Sequence, residues 1–347
     1  MRFDSGLVAS NPHHGVHELV QHDSVIEKSN QMRLLIVTPA PKGSRQGNRI
    51  TANRWAQLLR QLGHHVTTAE AFRDQPCDVL IGLHARKSAA SIRRYRAKHP
   101  DGRLVVVLTG TDLYHDLPQS RAAQCSIELA DRLVVLQARA VDALPRGLRA
   151  KARVIVQSAV GPTSRPCFPK KDVFEVCVVG HLRPVKDPFR TALAARHLPP
   201  ESQISVLHLG AALDPKMERR AREEMLRNPR YRWLGDLPHA RALRVLARSR
   251  VLVNSSTMEG GANAICEALA CGVPVLSSRI AGSIGLLEED YLGYFEVGDT
   301  LELATLLSRF ERDAVFRERL KSRCRSLARI VEPKREREAW RQLLSEL

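Results

Sequence analysis

Two glutamates, Glu259 and Glu267, stand eight positions apart in NSSTMEGGANAICEALACGVPVLSS (254–278), on either side of a glycine pair. The apolar run RVLVNSS (250–256) ahead of them is expected to be a strand. The chain should then turn through Glu259, Gly260 and Gly261. A helix is expected from Ala262, with Gly272 ending it. A helix start carries unpaired N–H groups and the positive end of the helix dipole. Glycines let an anion approach that backbone closely. Gly260, Gly261, Ala262 and Asn263 are therefore expected to form a phosphate seat. Glu267 follows Asn263 by one turn on the same face, where its carboxylate can accept from a ribose diol. Glu259, on the loop, can reach hydroxyls beyond the phosphates. Such an arrangement suits a nucleotide-sugar, with phosphates in the middle and a diol at each end. Glutamate is common, so the spacing alone carries little; the glycines and the preceding strand carry the reading.

A second cluster lies in VVGHLRPVKDP (178–188). The strand should end at Gly180, placing Arg183 and Lys186 on the loop after it. Two cations at a strand's carboxyl end suit a diphosphate. They would also stabilise charge growing on a departing nucleoside diphosphate. The first half of the chain offers three further strand ends. PKGSRQGNR (41–49) brings Lys42, Ser44, Arg45, Asn48 and Arg49, and resembles a phosphate-gripping turn. HARKS (84–88) brings His84 and Arg86, and TGTD (109–112) brings Thr109, Thr111 and Asp112. Cations and hydroxyls thus converge on one place, which suits a small anion. Blander roles exist: Thr109 and Asp112 can cap a helix, and His84 can be satisfied at a strand end. Trp55, at helical spacing, is expected in the core, and Cys266 and Cys271 as packing thiols.

The elements that must position these residues alternate along the chain. LLIVTPA (34–40) has the pattern of a buried parallel strand. ITANRWAQLLRQLGHHV (50–66) has that of a helix with Ile50, Trp55, Leu58, Leu59 and Leu62 on one face, stopped by Gly63. Similar runs continue to residue 160. GPTSRPCFPKKD (161–172) then holds three prolines and no apolar period. Strand–helix alternation restarts at Phe174. The fold class expected is α/β, with two Rossmann-like doubly wound domains facing a cleft and a C-terminal helical segment. The expected division is an N-terminal extension of low order (1–31, with Met32 as the functional start), an acceptor-binding domain (32–160), a linker (161–173), a nucleotide-sugar-binding domain (174–315), and C-terminal helices (316–347) that can return to the first domain.

Composition narrows the partners. The 347 residues carry a formal net charge of +17, which favours a polyanionic or phosphate-bearing partner. A nucleic-acid-binding protein using the basic helix 315–330 is a competing class, but no recognition motif accompanies the charge. No stretch reaches the about 20 apolar residues of a membrane span. Seven scattered cysteines without metal spacing fit a reducing cytoplasm. No acidic metal-binding DxD stands in the expected place, so no metal is expected; no other cofactor is expected either, a nucleotide-sugar being substrate. Neither lobe's first strand is followed by G-x-G-x-x-G, against a dinucleotide-dependent dehydrogenase. Aromatic residues make up only 5%, against the stacking platforms of a long-glycan acceptor.

GHLRPVKDP, WLGDLP with ALRVLARSRVLVNSS, and MEGGANAICEALACGVPVLSS together resemble the donor half of GT-B glycosyltransferases of the large retaining family 4. The pattern falls on Arg183, Lys186, Glu259, Glu267, Ala268, Ala270, Gly272, Pro274 and Val275, and covers most of 174–300. TPAPKGSRQGNRITANRWAQLLRQLGHHV, DVLIGLHARKSAASIRRYR and VVVLTGTDLYHDL resemble a family-4-like branch, the selenosugar synthases, extending the likeness to about residues 32–300. That resemblance implies transfer of a sugar, N-acetylglucosamine or a relative, from a UDP-sugar to selenophosphate. It implies Arg183, Lys186 and Glu259 at the reaction centre; His84, at a strand end of the other lobe, is the further catalytic candidate, with Asp112 as the alternative, for helping water cleave the phosphorus–selenium bond. Gly180, Arg183, Lys186 and residues 259–263 with Glu267 would hold the donor. A generic family-4 transferase acting on a sugar or lipid acceptor shares the donor site and stays open.

Overall fold

The computed structural model describes residues 31–44, 46–162 and 173–347. The expectations for 1–30, for Arg45 and for nearly all of the linker lie outside the described residues.

The first lobe is a six-stranded parallel sheet of order β2-β1-β3-β4-β5-β6. Its strands are β1 (Arg33–Val37), β2 (His65–Ala69), β3 (Val79–Leu83), β4 (Arg103–Leu108), β5 (Arg132–Val135) and β6 (Ala152–Val154). Helices α1 (Gly47–Gln61), α2 (Ala89–Lys98) and α3 (Arg121–Leu129) cross between them. β3 is buried along its whole length and β4 everywhere but its first residue, as expected of strands covered on both faces.

The second lobe repeats the plan with order β12-β11-β10-β7-β8-β9, again all parallel. Its strands are β7 (Phe174–Val179), β8 (Ile204–Leu209), β9 (Tyr231–Trp233), β10 (Val251–Asn254), β11 (Val275–Ser278) and β12 (Tyr294–Phe295). Its helices are α4 (Arg190–Ala195), α5 (Pro215–Arg227), α6 (His239–Arg248), α7 (Asn263–Ala270) and α8 (Ala281–Leu287). In each sheet the strand order reverses once, between β1 and β3 in the first lobe and between β7 and β10 in the second. A crevice forms where neighbouring connections leave in opposite directions, and ligands of such sheets bind there.

The structure corrects several local expectations. α1 begins at Gly47 rather than Ile50, and its buried face runs through Ala52, Trp55, Ala56 and Leu59. Ile50 falls off that stripe and is 40% exposed. The basic stretch 301–330 is two helices, α9 (Thr300–Arg312) and α10 (Ala314–Leu327), followed by a short 3-10 turn. Asp313 breaks it: its carboxylate accepts from the Phe316 N–H at 2.9 Å, capping the second helix. Phe316, Leu320, Cys324 and Leu327 join the core of the second lobe.

The last helix, α11 (Pro333–Ser345), packs on the first lobe instead. Trp340 meets Trp55 edge to face at 4.9 Å, and Leu343 and Leu344 enter the same core. The buried Glu336 carboxylate accepts from Trp55 Nε1 at 2.6 Å and from the Ser158 N–H at 3.0 Å. It thereby ties α1, the segment leaving the first sheet, and the end of the chain. Among the described residues no helix is long and apolar enough to cross a membrane.

Candidate active site at the facing strand ends

In the second lobe the reversal point is flanked by the loops after β7 and β10. These loops carry the cations and the first glutamate, and the fold joins them. The Thr257 N–H donates to the Val185 carbonyl at 2.9 Å, and Ser255 Oγ donates to the Asp187 carbonyl at 2.9 Å. Asp187 takes a left-handed backbone (φ 41°), which turns the β7 loop back toward β10. Lys186 Nζ forms an ion pair with Glu259 Oε1, which also accepts from Ser256 Oγ at 2.7 Å. The lysine and glutamate side chains are 29% and 11% exposed, so the pair is partly shielded from water and its attraction exceeds that of a surface pair. Arg183 is exposed, and among the described residues its guanidinium has no hydrogen-bond or ion-pair partner.

The helix start behind this pair is open. α7 begins at Asn263, and its N-cap residue, Ala262, supplies no side-chain acceptor. Gly272 ends it with φ 68°, a left-handed cap that glycine adopts freely. Glu267 sits one turn in, and its Oε1 meets His239 Nε2 at 2.8 Å. His239 opens α6, so this bond links the start of α6 to the second turn of α7.

In the first lobe the strand ends after β3 and β4 form one cluster. His84 is buried and left-handed (φ 73°), which folds the chain directly from β3 into the turn before α2. The Lys87 N–H points at His84 Nδ1 at 3.4 Å, and Thr111 Oγ1 lies 3.3 Å from His84 Nε2. With Nδ1 accepting, the neutral ring keeps its proton on Nε2, toward Thr111. Burial pushes the imidazole below its ordinary pKa against the upward pull of Asp112. At neutral pH His84 is therefore a hydrogen-bonding group rather than a cation. Arg86 Nε reaches Asp116 Oδ2 at 2.8 Å.

Asp112 is wholly buried and spends its carboxylate on the chain itself. It accepts from the N–H groups of Ala85 (2.9 Å), Thr109 (2.8 Å) and Gly110 (2.9 Å). It ties the β3 loop to the β4 loop. Asp112→Asn turns one acceptor into a donor facing an N–H, and is expected to cost about 2 kcal/mol of stability. Denaturant unfolding of the variant checks this; wild-type stability would contradict it.

Residues 164–327 match the family model described as Glycosyl transferases group 1. Over 91% of its length the chain superposes on all of the crystallised Anabaena Alr3699/HepE in complex with UDP and glucose, at a TM-score of 0.70 and 17% identity. It covers all of the sucrose-phosphate synthase of Thermosynechococcus elongatus equally, at a TM-score of 0.72 and 16% identity. The chain has the GT-B fold. A curated relative in Xenopus tropicalis, glycosyltransferase 1 domain-containing protein 1, is 30% identical over 113 residues, 32% of this chain and a third (33%) of its own length. One component of the Arabidopsis thaliana phosphatidylinositol N-acetylglucosaminyltransferase is 36% identical over 69 residues, 20% of this chain and 15% of its own length. The chain thus matches only a minor part of either curated relative.

Within the GT-B frame the residues expected at the donor side come together: Gly180, Arg183 and Lys186 on one loop, Glu259 to Asn263 on the next, Glu267 beyond. One detail differs from expectation. Gly260 is buried beneath Thr109 and Gly110 of the other lobe, leaving Gly261 and Asn263 as the half-exposed part of the seat. The acceptor-side residues divide. His84, Arg86, Thr109, Thr111 and Asp112 form one group. Arg49 does not join it: its buried guanidinium donates to the Ala40 and Pro41 carbonyls, 3.0 and 3.1 Å from Nε, and so holds the β1 loop. The Lys42 N–H donates to Glu70 Oε1 at 2.8 Å. Among the described residues no hydrogen bond or ion pair links Lys42, Ser44 or Asn48 to the His84 group. Cys266 and Cys271 are packed thiols, burial pushing each up to about 12.

Ser256, Asp116 and His239 join the site without an expectation from the sequence. Ser256 stands three residues before Glu259, a spacing that a turn reading could have used. His239 lies 28 residues from Glu267, and nothing local joins them. The hydrogen bond to Glu267 raises the His239 pKa above its ordinary 6.5, against burial and the Arg54 charge. Its contribution is therefore complete below pH 6.5 and is lost as pH rises through the raised midpoint. The His239 ring signals are expected to titrate above 6.5 by NMR, and to fall back toward it in Glu267→Gln. An unmoved midpoint in that variant would refute the tie.

Proposed function

We propose that the chain transfers a sugar, N-acetylglucosamine or a close relative, from a UDP-sugar to selenophosphate, giving a selenosugar, UDP and phosphate. The observation that carries the donor half is the joining of Lys186, Arg183, Glu259 and the open start of α7 at one switch point. Arg183 and Lys186 hold the diphosphate together with the amides at the start of α7. Glu267 takes the ribose hydroxyls, and Glu259 those of the sugar. The diphosphate competes with Glu259 for Lys186, so donor binding loosens the resting ion pair and frees the carboxylate for the sugar.

Selenophosphate binds among His84, Arg86, Thr109 and Thr111 with selenium toward the anomeric carbon. Selenium attacks that carbon, the carbon–oxygen bond to UDP breaks, and UDP leaves with the electron pair. Water then attacks phosphorus: its oxygen leaves in the phosphate, the phosphorus–selenium bond breaks with its electron pair on selenium, and a proton from the water goes to selenium or to solvent, giving the selenol or selenolate. Selenium is nucleophilic without a strong base, so positioning and stabilisation of the leaving group supply most of the rate. The selenium acceptor rests on the sequence resemblance together with the polar, compact acceptor side.

The likeness to a component of an N-acetylglucosaminyltransferase favours one further reading, a GT-B transferase with a sugar or lipid acceptor. Mass spectrometry of the purified protein with UDP-N-acetylglucosamine and selenophosphate, beside thiophosphate and phosphate, separates the two. A selenium-bearing N-acetylhexosamine product supports the proposal. UDP release only with sugar or lipid acceptors would replace it.

A further inference from the structure

The lobes meet beside Glu259 through main chain rather than side chains. Gly110, at the end of β4, is buried with φ +126°, and a Cβ built on it would lie 2.5 Å from the Gly260 nitrogen. A Cβ on Gly260 would lie 2.4 Å from the Thr109 carbonyl carbon and oxygen. Next along the seam, one on Gly261 would stand 2.6 Å from Leu136 Cβ, and one on Gly285 would stand 1.8 Å from Gln137 Oε1. Gln137 cannot easily swing away, because its Nε2 donates to Tyr114 Oη at 2.8 Å. Arg139 and Glu289 pair across the lobes at 2.7 Å. Four glycines from two lobes thus lie where any side chain would wedge the lobes apart.

We propose that this glycine seam sets the closing distance of the lobes and thereby restricts the acceptor to a group the size of a small oxyanion. This rests on the transfer reaction proposed above. Thr109 and Thr111 flank Gly110, and Glu259 precedes Gly260, so the seam borders the space between acceptor and donor groups. With two main chains in contact there, a glycan or a long chain has no passage at that side. Packed contacts of this kind resist small displacements, so one added methyl opens the seam as a whole.

The test uses Gly285→Ala, because Gly285 lies in α8 with an ordinary helical backbone and outside the donor seat. Alanine there favours the helix itself, so a loss traces to the seam rather than to unfolding. Gln137→Gly in the same chain removes every Gln137 atom it strikes, Cβ included. Spin labels at the exposed positions 93 and 226 report the distance between lobes with UDP bound. Turnover is followed with UDP-N-acetylglucosamine and either selenophosphate or its O-phenyl ester. Wild type is expected to prefer selenophosphate by at least about 100-fold. Gly285→Ala should lengthen the lobe distance and shrink that preference at least tenfold, with UDP affinity within twofold. The double variant should recover both. An unchanged distance in Gly285→Ala, or an unchanged preference in lobes that have opened, would overturn the proposal. If wild type turns over neither acceptor, the transfer reading fails, and the acceptor-size role falls with it. The distance measurement still decides separately whether the seam is the closing stop.

Discussion

Lys186→Ala is expected to lower UDP-sugar turnover about 1,000-fold, roughly 4 kcal/mol of transition-state stabilisation. Two losses combine. In the proposed reaction the leaving diphosphate loses a cation at the point where its charge grows. The Glu259 carboxylate, only 11% exposed, also loses its ion-pair partner and keeps only Ser256 as a side-chain hydrogen-bond donor among the described residues. Removing one member of a shielded pair costs more than the pair was worth, because the other charge is left stranded. Glu259→Gln in the same chain should therefore repair part of the binding defect without restoring catalysis. Steady-state kinetics with calorimetric UDP titration separates the two effects. A Lys186→Ala enzyme within tenfold of wild type would remove the lysine from the mechanism.

Trp340→Ala is expected to cost about 3–5 kcal/mol, the range for a large aromatic removed from a packed core. Trp340 is wholly buried against Trp55. Its loss leaves a cavity and weakens the hold of α11 on the first lobe, with Glu336 and its bonds to Trp55 and Ser158 on the same helix. Because the chain has two lobes, unfolding need not be two-state, and the first lobe should melt ahead of the second. Denaturant unfolding, followed separately on each lobe by hydrogen exchange, gives the measure. Equal loss of protection in both lobes, or a cost under about 1 kcal/mol, would contradict the latch.

The elements around the proposed donor side were legible because their information is local. Strand, glycine turn and helix succeed one another within 25 residues, and the strand order brings the Arg183–Lys186 loop beside them. Glu259 and Glu267 lie where the spacing put them. The acceptor side was legible only in part. Arg49 looked like a phosphate ligand by type, yet the carbonyls of the β1 loop lacked donors and took its guanidinium. Asp112 has the type and position of an acceptor-side group, yet three N–H groups from two loops took its carboxylate. Both outcomes reflect the strong cost of buried unpaired backbone groups, which acts in three dimensions and leaves no periodic trace. The same holds for His239 on Glu267 and for the glycine seam. From its own loop Gly260 has the form of an anion seat, and only the opposing lobe reveals its steric partner.

The most direct measurement is a crystal structure with UDP bound. The diphosphate is expected within hydrogen-bonding reach of Arg183, Lys186 and the amides at Gly261 to Asn263, with the ribose on Glu267. A nucleotide seated away from the β7–β10 switch point, or a diphosphate held without either cation, would contradict the account.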